Sequence, residues 1–191
     1  MSATEDTAAT PEARQAKARA VLEARARAEL AAADAAAPGS DRVPWRGALL
    51  AQVAVVKGLP GPAEASGDPA LSGADGDAAI KALERLGWSG QDVFFTLSRP
   101  EPGIEPERRG DRLRLQIEGV DPELVLAVDA EAADDVALAF GVERPRWGVV
   151  ERVLGRRVVA VDGLEASLGD EARKARVWSQ MRVAKPLGPV Y

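Results

Sequence analysis

The chain has 191 residues, a length typical of one domain with an extension. Of these, 46% are hydrophobic and 29% charged, as in ordinary globular proteins, and the formal net charge is −5. It contains no cysteine and no histidine, which excludes disulfides, thiolate nucleophiles, zinc–thiolate sites, cysteine-ligated iron–sulfur clusters and histidine acid–base catalysis. The acidic balance argues against a strongly basic nucleic-acid coat. The sequence has no apolar run of about 18 residues and no signal-peptide pattern, so we expect a cytoplasmic protein. We also expect no metal and no cofactor.

The first predicted element is a long helix over residues 10–37. A threonine followed by proline and glutamate is typical of a helix start, and the Pro–Gly–Ser sequence at 38–40 ends the pattern. Its large apolar residues are Val21, Leu22 and Leu30, a stripe too thin for a core helix. We therefore expect an alanine-rich, charged arm over residues 1–40, which is either a solvated or frayed helix or a docking arm for a partner.

Short apolar runs alternate with helical patterns through the rest of the chain, which we divide into a domain at 41–185 and a tail at 186–191. The predicted strands are 53–56, 93–97, 124–128 and 157–161, with 147–154 as a hairpin partner or a further short strand. The predicted helices are 77–86, 106–119, 131–140 and 170–183. Apolar strands that alternate with helices are typical of a parallel sheet covered on both faces. The predicted fold is α/β, a three-layer α/β/α sandwich with a central, mainly parallel four-stranded sheet.

A glycine- and proline-rich loop at 57–76 leaves the carboxyl end of the first strand, where parallel sheets bind ligands. It contains neither GxGxxG nor GxxxxGK[ST], so the dinucleotide fingerprint and the P-loop are absent. Two interpretations stay open: a phosphate nest among its glycines, or a wide loop that needs glycine for positive φ and proline for stiffness. The predicted pocket and loop residues, with Arg99 at the pocket mouth, are Lys57, Pro60, Gly61, Gly67, Gly73, Gly76 and Arg99.

The order of these pieces resembles the uracil-DNA glycosylase superfamily over roughly residues 53–182. An apolar strand leads into P-G-x-x-E at 60–64, S-G-D-P at 66–69 and G-x-x-G at 73–76. A second strand ends in T-x-x-R-P at 96–100, and a late helix carries A-R-K-A-R-V-W at 172–178. The nearest branch is the one whose first motif reads G-E-x-P-G-x-x-E. The resemblance implies a uracil-DNA glycosylase-like sheet with its site at the carboxyl edge.

The same resemblance implies that the excision chemistry is missing. Enzymes of this superfamily flip a uracil out of the duplex. They use a first-motif acid or amide, a stacking phenylalanine, a base-reading asparagine and a histidine that stabilises the leaving anion. The matching positions here are Gly58, Ala70, Leu97 and Gly163. A positioned acid or base is worth about 10²–10⁴ in rate, so we expect a glycosylase-like module that binds protein or DNA in replication or repair and no longer excises bases.

Two alternatives remain at this stage. A divergent glycosylase could use loop carboxylates, for which the candidates are Glu64, Asp68, Asp162 and Glu165; such residues are more often caps and turn formers, and Asp77 is the predicted cap of its helix. The chain also resembles the psi subunit of the bacterial replicative polymerase's clamp-loader assembly, in its 92–97 strand and its closing helix with Trp178 and Gln180. That resemblance implies a replisome adaptor whose N-terminal segment docks on a partner.

Local basic clusters provide candidate phosphate contacts, Arg108, Arg109, Arg156 and Arg157. The alternative is a set of solvated helix faces paired with neighbouring acids. Because the chain is acidic and few aromatic residues lie between the arginines, we expect weak DNA binding at most. The expected partner is a protein of replication or repair, bound through residues 10–37, with no membrane and no iron–sulfur cluster.

Overall fold

The computed structural model describes residues 10–36 and 43–188. In these residues the chain is a mixed α/β protein with one six-stranded sheet and seven helices. The strands are β1 Arg46–Gly47, β2 Val53–Lys57, β3 Val93–Leu97, β4 Leu124–Ala127, β5 Glu151–Val153 and β6 Arg156–Ala160. The helices are α1 Pro11–Ala36, α2 Pro62–Ala65, α3 Ala74–Leu86, α4 Pro106–Val120, α5 Ala130–Phe140, α6 Leu164–Ser167 and α7 Glu171–Met181.

The sheet has the order β1-β3-β2-β4-β6-β5, in which β3, β2, β4 and β6 are parallel. The predicted α/β class is confirmed, but the sheet has six strands where four were predicted. The two additional strands pair antiparallel at the edges: β1, which was not predicted, and β5, which lies in the segment predicted as a hairpin partner at 147–154. β1 has only two residues, too few to produce an apolar pattern in the sequence.

Apolar side chains pack on both faces of the sheet. Val53 and Val55 of β2 join one core with Leu83 of α3, while Val56 joins another with Leu113 of α4. This alternation follows from the two-residue period of a strand. Because β3, β2, β4 and β6 are parallel, their carboxyl ends lie at one common edge of the sheet. The loops that follow these four strands leave from that edge.

The second half of α1 packs on α4. Ala26, Leu30 and Ala33 are buried, and a Cβ on Gly119 of α4 would lie 2.7 Å from Cβ of Glu29. Small residues bring the two helices close together, so a thin apolar stripe suffices to pack this half. The first half of α1, by contrast, has no buried residue before Ala26.

Details at the helix ends differ in part from prediction. Thr10 begins α1 as predicted, since its Oγ1 accepts from the amide of Ala13 at 3.2 Å. The prediction that Asp77 caps the next helix is wrong, because α3 begins at Ala74 and its N-cap is Gly73. The predicted stop at 38–40 lies outside the described residues, as does the end of the tail after residue 188. No helix within residues 10–36 and 43–188 is both long and apolar enough to cross a membrane.

Candidate functional site

A cavity of about 190 Å³ lies at the carboxyl edge of the parallel strands. Its lining comes from the loops after β2, β4 and β6 and from the start of α3. The titratable side chains of the lining are one ammonium and four carboxylates: Lys57, Asp75, Asp129, Glu131 and Glu165. The cavity is thus acidic, with a single lysine in its wall.

Lys57, the last residue of β2, is the centre of this site. Its Nζ donates to Asp75 Oδ2 at 2.7 Å, to Glu165 Oε2 at 3.0 Å and to Glu64 Oε2 at 3.3 Å. Burial by itself lowers the pKa of Lys57, but the hydrogen bonds to Asp75 and Glu165 and the nearby carboxylate charges outweigh it and raise the pKa above its ordinary value. Lys57 therefore stays protonated at neutral pH. We refer to Lys57, Glu64, Asp75 and Glu165 as the Lys57 cluster.

Glu64 fixes the shape of the glycine- and proline-rich loop. Its Oε2 accepts from the amide of Gly61 at 2.9 Å and its Oε1 from the amide of Leu71 at 2.7 Å. Arg46 braces the same loop by donating to the carbonyl oxygens of Ala70, at 2.8 Å, and Leu71. A Cβ on Gly76 would overlap the carbonyl oxygen of Leu71. The loop contains a short helix, α2, and runs over residues 58–73, shorter than the predicted 57–76 because Lys57 belongs to β2 and α3 already begins at Ala74.

The glycine amides that a phosphate nest would need are bound by the chain's own carboxylates. Asp129 accepts from Gly58 at 2.9 Å, Glu64 accepts from Gly61, and Asp75 Oδ1 accepts from Gly76 at 2.9 Å. A backbone nest holds an anion through such free amides. The phosphate-nest interpretation of these glycines is therefore not supported.

Asp129 was missed by sequence reasoning, although it directly follows a buried strand. It is the N-cap of α5, and its Oδ1 accepts from the amide of Ala132 at 2.7 Å. Burial raises the pKa of Asp129, while the hydrogen bonds from Gly58 and Ala132 and the charge of Lys57 act in the opposite direction. Asp129 thereby ties the start of α5 to the end of β2.

The four positions that the resemblance matched to glycosylase residues are distributed as follows. Gly58 and Leu97 lie at the ends of neighbouring strands, and Gly163 lines the cavity. A Cβ on Gly58 would overlap Cβ of Glu131 and lie 2.8 Å from Asp129 Oδ1. The side chains of Ala70 and Leu97 are in the apolar core. Gly58 thus has no room for a side chain, and Ala70 and Leu97 face packing rather than the cavity.

The predicted substitute carboxylates fall into two groups. Glu64 and Glu165 belong to the Lys57 cluster. Asp68 is exposed on the loop, and Asp162 pairs with Arg176 at 3.5 Å; neither lines the cavity. The structure therefore brings Glu64 and Glu165 together, along with Asp75, and leaves the other two apart.

The other predicted pocket and loop residues mostly shape the backbone. Pro60 lines the cavity, Gly73 caps α3, and Gly67 lies at the surface with φ +99°. Arg99 does not line the cavity described here. Its Nε donates to Asp135 Oδ2 of α5 at 2.8 Å.

Asp135 is a second buried centre that sequence reasoning missed. Its carboxylate pairs with Arg99 Nε and Arg109 Nε, each at 2.8 Å, and accepts a hydrogen bond from Ser98 Oγ at 2.6 Å. The Asp135 side chain is almost wholly buried. This carboxylate joins α5 to α4 and to the end of β3. No sequence pattern predicts it, because its partners are 26 to 37 residues away.

Three of the four candidate phosphate contacts are engaged inside the chain. Arg109 pairs with Asp135, Arg156 with Asp121 at 2.5 Å, and Arg157 with Glu123 at 2.7 Å. Arg108 is exposed. Three of these arginines thus serve ion pairs, but with acids 26 to 35 residues away and not with the neighbouring acids that the alternative expected.

Within residues 10–36 and 43–188, no group of three or more acidic, histidine or cysteine side chains is arranged to hold a metal ion. Comparisons of the sequence with known proteins give no further guidance: no protein-family model matches the chain, and a search of curated proteins finds no match.

Proposed function

We propose that this chain is a uracil-DNA glycosylase-like module that has lost base excision and acts by binding a protein partner in DNA replication or repair. The observation that carries the proposal is the packing around Gly58. At the position of the expected catalytic acid there is no space for a side chain, and the backbone amide is bound by Asp129.

The groups that remain at the carboxyl edge are poorly suited to cleaving a glycosidic bond. A general acid or base must reach the substrate in the right protonation state. Glu64 makes three internal contacts and Glu165 is held by Lys57. Lys57 is protonated, which also argues against an amine nucleophile.

The charge of the cavity favours a protein partner over DNA. Four carboxylates and one ammonium line it, so a phosphate entering it would meet predominantly negative charge. No tryptophan, tyrosine or phenylalanine is among the lining residues to stack on a flipped base. The three engaged arginines support the same choice, because their side chains are mostly buried as well as paired and so have little surface to offer a phosphate.

The first half of α1 supplies the partner-binding element in this proposal. It projects from the body with Val21 and Leu22 exposed by 62% and 51%. A helix of about this length is marginal in water without packing, so binding would stabilise it. This keeps the expected role of residues 10–37 but assigns it to the half that does not pack on α4.

The test combines two binding measurements on the full chain. The tagged protein and its Val21→Asp variant are first used to capture partner proteins, which are then identified and purified. The affinity of each partner for the wild type and for the variant is then measured in binary titrations. We expect a protein bound by the wild type and at least about tenfold more weakly by the variant, equal to about 1.4 kcal/mol. Tight DNA binding with a steep salt dependence and no protein partner would contradict the proposal.

One observation favours an active glycosylase as the second candidate. Asp129 and Glu165 line the same cavity, and burial raises the pKa of Asp129, as expected for a carboxyl group poised to donate a proton. Against this, both oxygens of Asp129 already accept backbone hydrogen bonds. A single-turnover excision assay separates the two candidates.

A further inference from the structure

A single stripe of α1 combines basic and apolar side chains on its projecting half. Arg14, Lys17, Ala18, Val21 and Leu22 recur at the three- and four-residue spacing that places them on one helix face. Val21 and Leu22 are among the most exposed large apolar side chains of the described residues. The stripe has two cations and no carboxylate.

The stripe continues at Leu22 into a groove of about 410 Å³ between α1, the turn before β2 and the end of α4. The floor includes Leu50 and Ala51. The charged residues of this groove are Arg25, Glu118, Asp121 and Glu123. Three carboxylates and one guanidinium thus line the groove on this side of Leu22, and two cations with no carboxylate lie on the other side.

The carboxylates of the groove remain able to accept a further partner. Each is held by an arginine, Glu118 by Arg114 at 2.8 Å for example, but those arginines are not part of the groove lining. The side chains of Glu118, Asp121 and Glu123 keep 38%, 78% and 40% of their exposure. A carboxylate has two oxygens and can accept several hydrogen bonds.

From this polarity we infer that the stripe and the groove form a self-association surface whose occupant is a second copy of this chain. A two-fold axis near Leu22 would pair the two α1 helices antiparallel. Each basic stripe then lies over the acidic groove of the other copy, and the Val21–Leu22 pairs meet at the axis. Such an isologous contact requires a self-complementary surface.

The spacing along the helix agrees with that arrangement. Arg14 precedes Leu22 by eight residues, which is about 12 Å of helix. Glu29, beside Gly119 at the end of α4, follows Leu22 by seven residues, or about 10 Å. A rotation about Leu22 therefore brings Arg14 to the level of the acidic end of α4 in the second copy.

A second copy fits this surface better than a uniformly charged partner does. An acidic partner would pair with Arg14 and Lys17 but be repelled by the carboxylates of the groove. A basic partner would pair with those carboxylates but be repelled by Arg14 and Lys17. The inference shares α1 as the binding element with the proposed function, so self-association and partner binding compete for Val21 and Leu22.

The experiment is sedimentation velocity of the full chain from low micromolar to several hundred micromolar. We expect a reversible shift from the 20.1 kDa monomer towards twice that mass. Leu22→Asp should weaken association at least about tenfold. Arg27→Glu, a charge change at an exposed α1 residue outside the stripe and the groove, is the matched control and should leave it unchanged.

Charge exchange tests the antiparallel geometry itself. The Arg14→Glu/Lys17→Glu protein and the Glu118→Lys protein should each be monomeric alone, and an equimolar mixture should form a heterodimer, because the mixture restores opposite charges at both ends. All substituted residues are exposed, so circular dichroism should show an unchanged fold. A wild-type chain that stays monomeric throughout, or a dimer insensitive to Leu22→Asp, would overturn the inference. If such a monomer still binds its protein partner through Val21, the proposed function stands.

Discussion

Lys57 donates to Asp75 across 2.7 Å, with 3% and 4% of the two side chains exposed. This bond crosses from the end of β2 to the first turn of α3, and with Glu64 and Glu165 it closes the sheet edge where a ligand would be expected to bind. The cluster is therefore the structural element on which the shape of the cavity depends.

Replacing Lys57 by methionine tests this dependence. The change leaves the buried carboxylates of Glu64 and Asp75 without their cation, and breaking a buried pair in this way typically costs about 3–5 kcal/mol. Urea unfolding should show that loss. Lys81→Met, at an exposed position of α3, is the control and should change stability by less than about 0.5 kcal/mol. Equal effects of the two changes would contradict a structural role for Lys57.

The contribution of Lys57 should also depend on pH. Its pKa in the folded chain lies above the ordinary value of 10.5, so the folded state holds the proton more tightly than the unfolded state does. The stabilisation is fully present below about pH 10.5 and is lost as the pH rises through the folded-state pKa. We expect the stability difference between the wild type and Lys57→Met to be constant from pH 7 to about 10 and to shrink above it. A difference that grows in alkali would have the wrong sign.

Gly58→Ala tests the packing on which the proposed function rests. The added methyl group would overlap Cβ of Glu131, and overpacking of this kind costs about 1–3 kcal/mol. Gly169→Ala is the matched control, because nothing lies within 4 Å of a Cβ at Gly169; thermal unfolding should show almost no change. If Gly58→Ala is as stable as Gly169→Ala, the position can hold a side chain and the argument from space fails.

Asp135→Asn should loosen the contact between α4, α5 and β3. Arg99 and Arg109 would lose their shared carboxylate, at a cost of about 2–4 kcal/mol, below that of a fully buried pair because both arginines reach water. Asp134→Asn, next in sequence but half-exposed, is the control and should cost less than about 1 kcal/mol. Guanidinium unfolding of both variants measures the difference, and similar midpoints would show that Asp135 is not a structural centre.

The central strands were predictable because their residues are apolar apart from Lys57 and Thr96. Val53–Lys57 and Val93–Leu97 are buried throughout, so hydrophobicity alone marks them. Arg46–Gly47 could not be found in this way, since it becomes a strand only by pairing with Phe95 and Phe94.

The candidate site was only partly predictable, since its contacts join distant segments. Sequence position indicated Lys57, Glu64 and Glu165 at the carboxyl edge, but not that Lys57 would bind both carboxylates. Asp75 lies in the first turn of α3 and accepts from Lys57, a contact that the sequence does not indicate. The partner of the Gly58 amide had no sequence signal either, because Asp129 lies 71 residues away.

A single-turnover excision assay tests the central claim most directly. The full chain, in excess, is incubated with labelled oligonucleotides that carry one uracil, single-stranded or opposite adenine or guanine, and abasic sites are revealed with alkali. An active uracil-DNA glycosylase is the positive control. The account predicts cleavage no greater than in buffer alone. Cleavage that follows the purified protein and is abolished by Glu165→Gln or Asp129→Asn would contradict it.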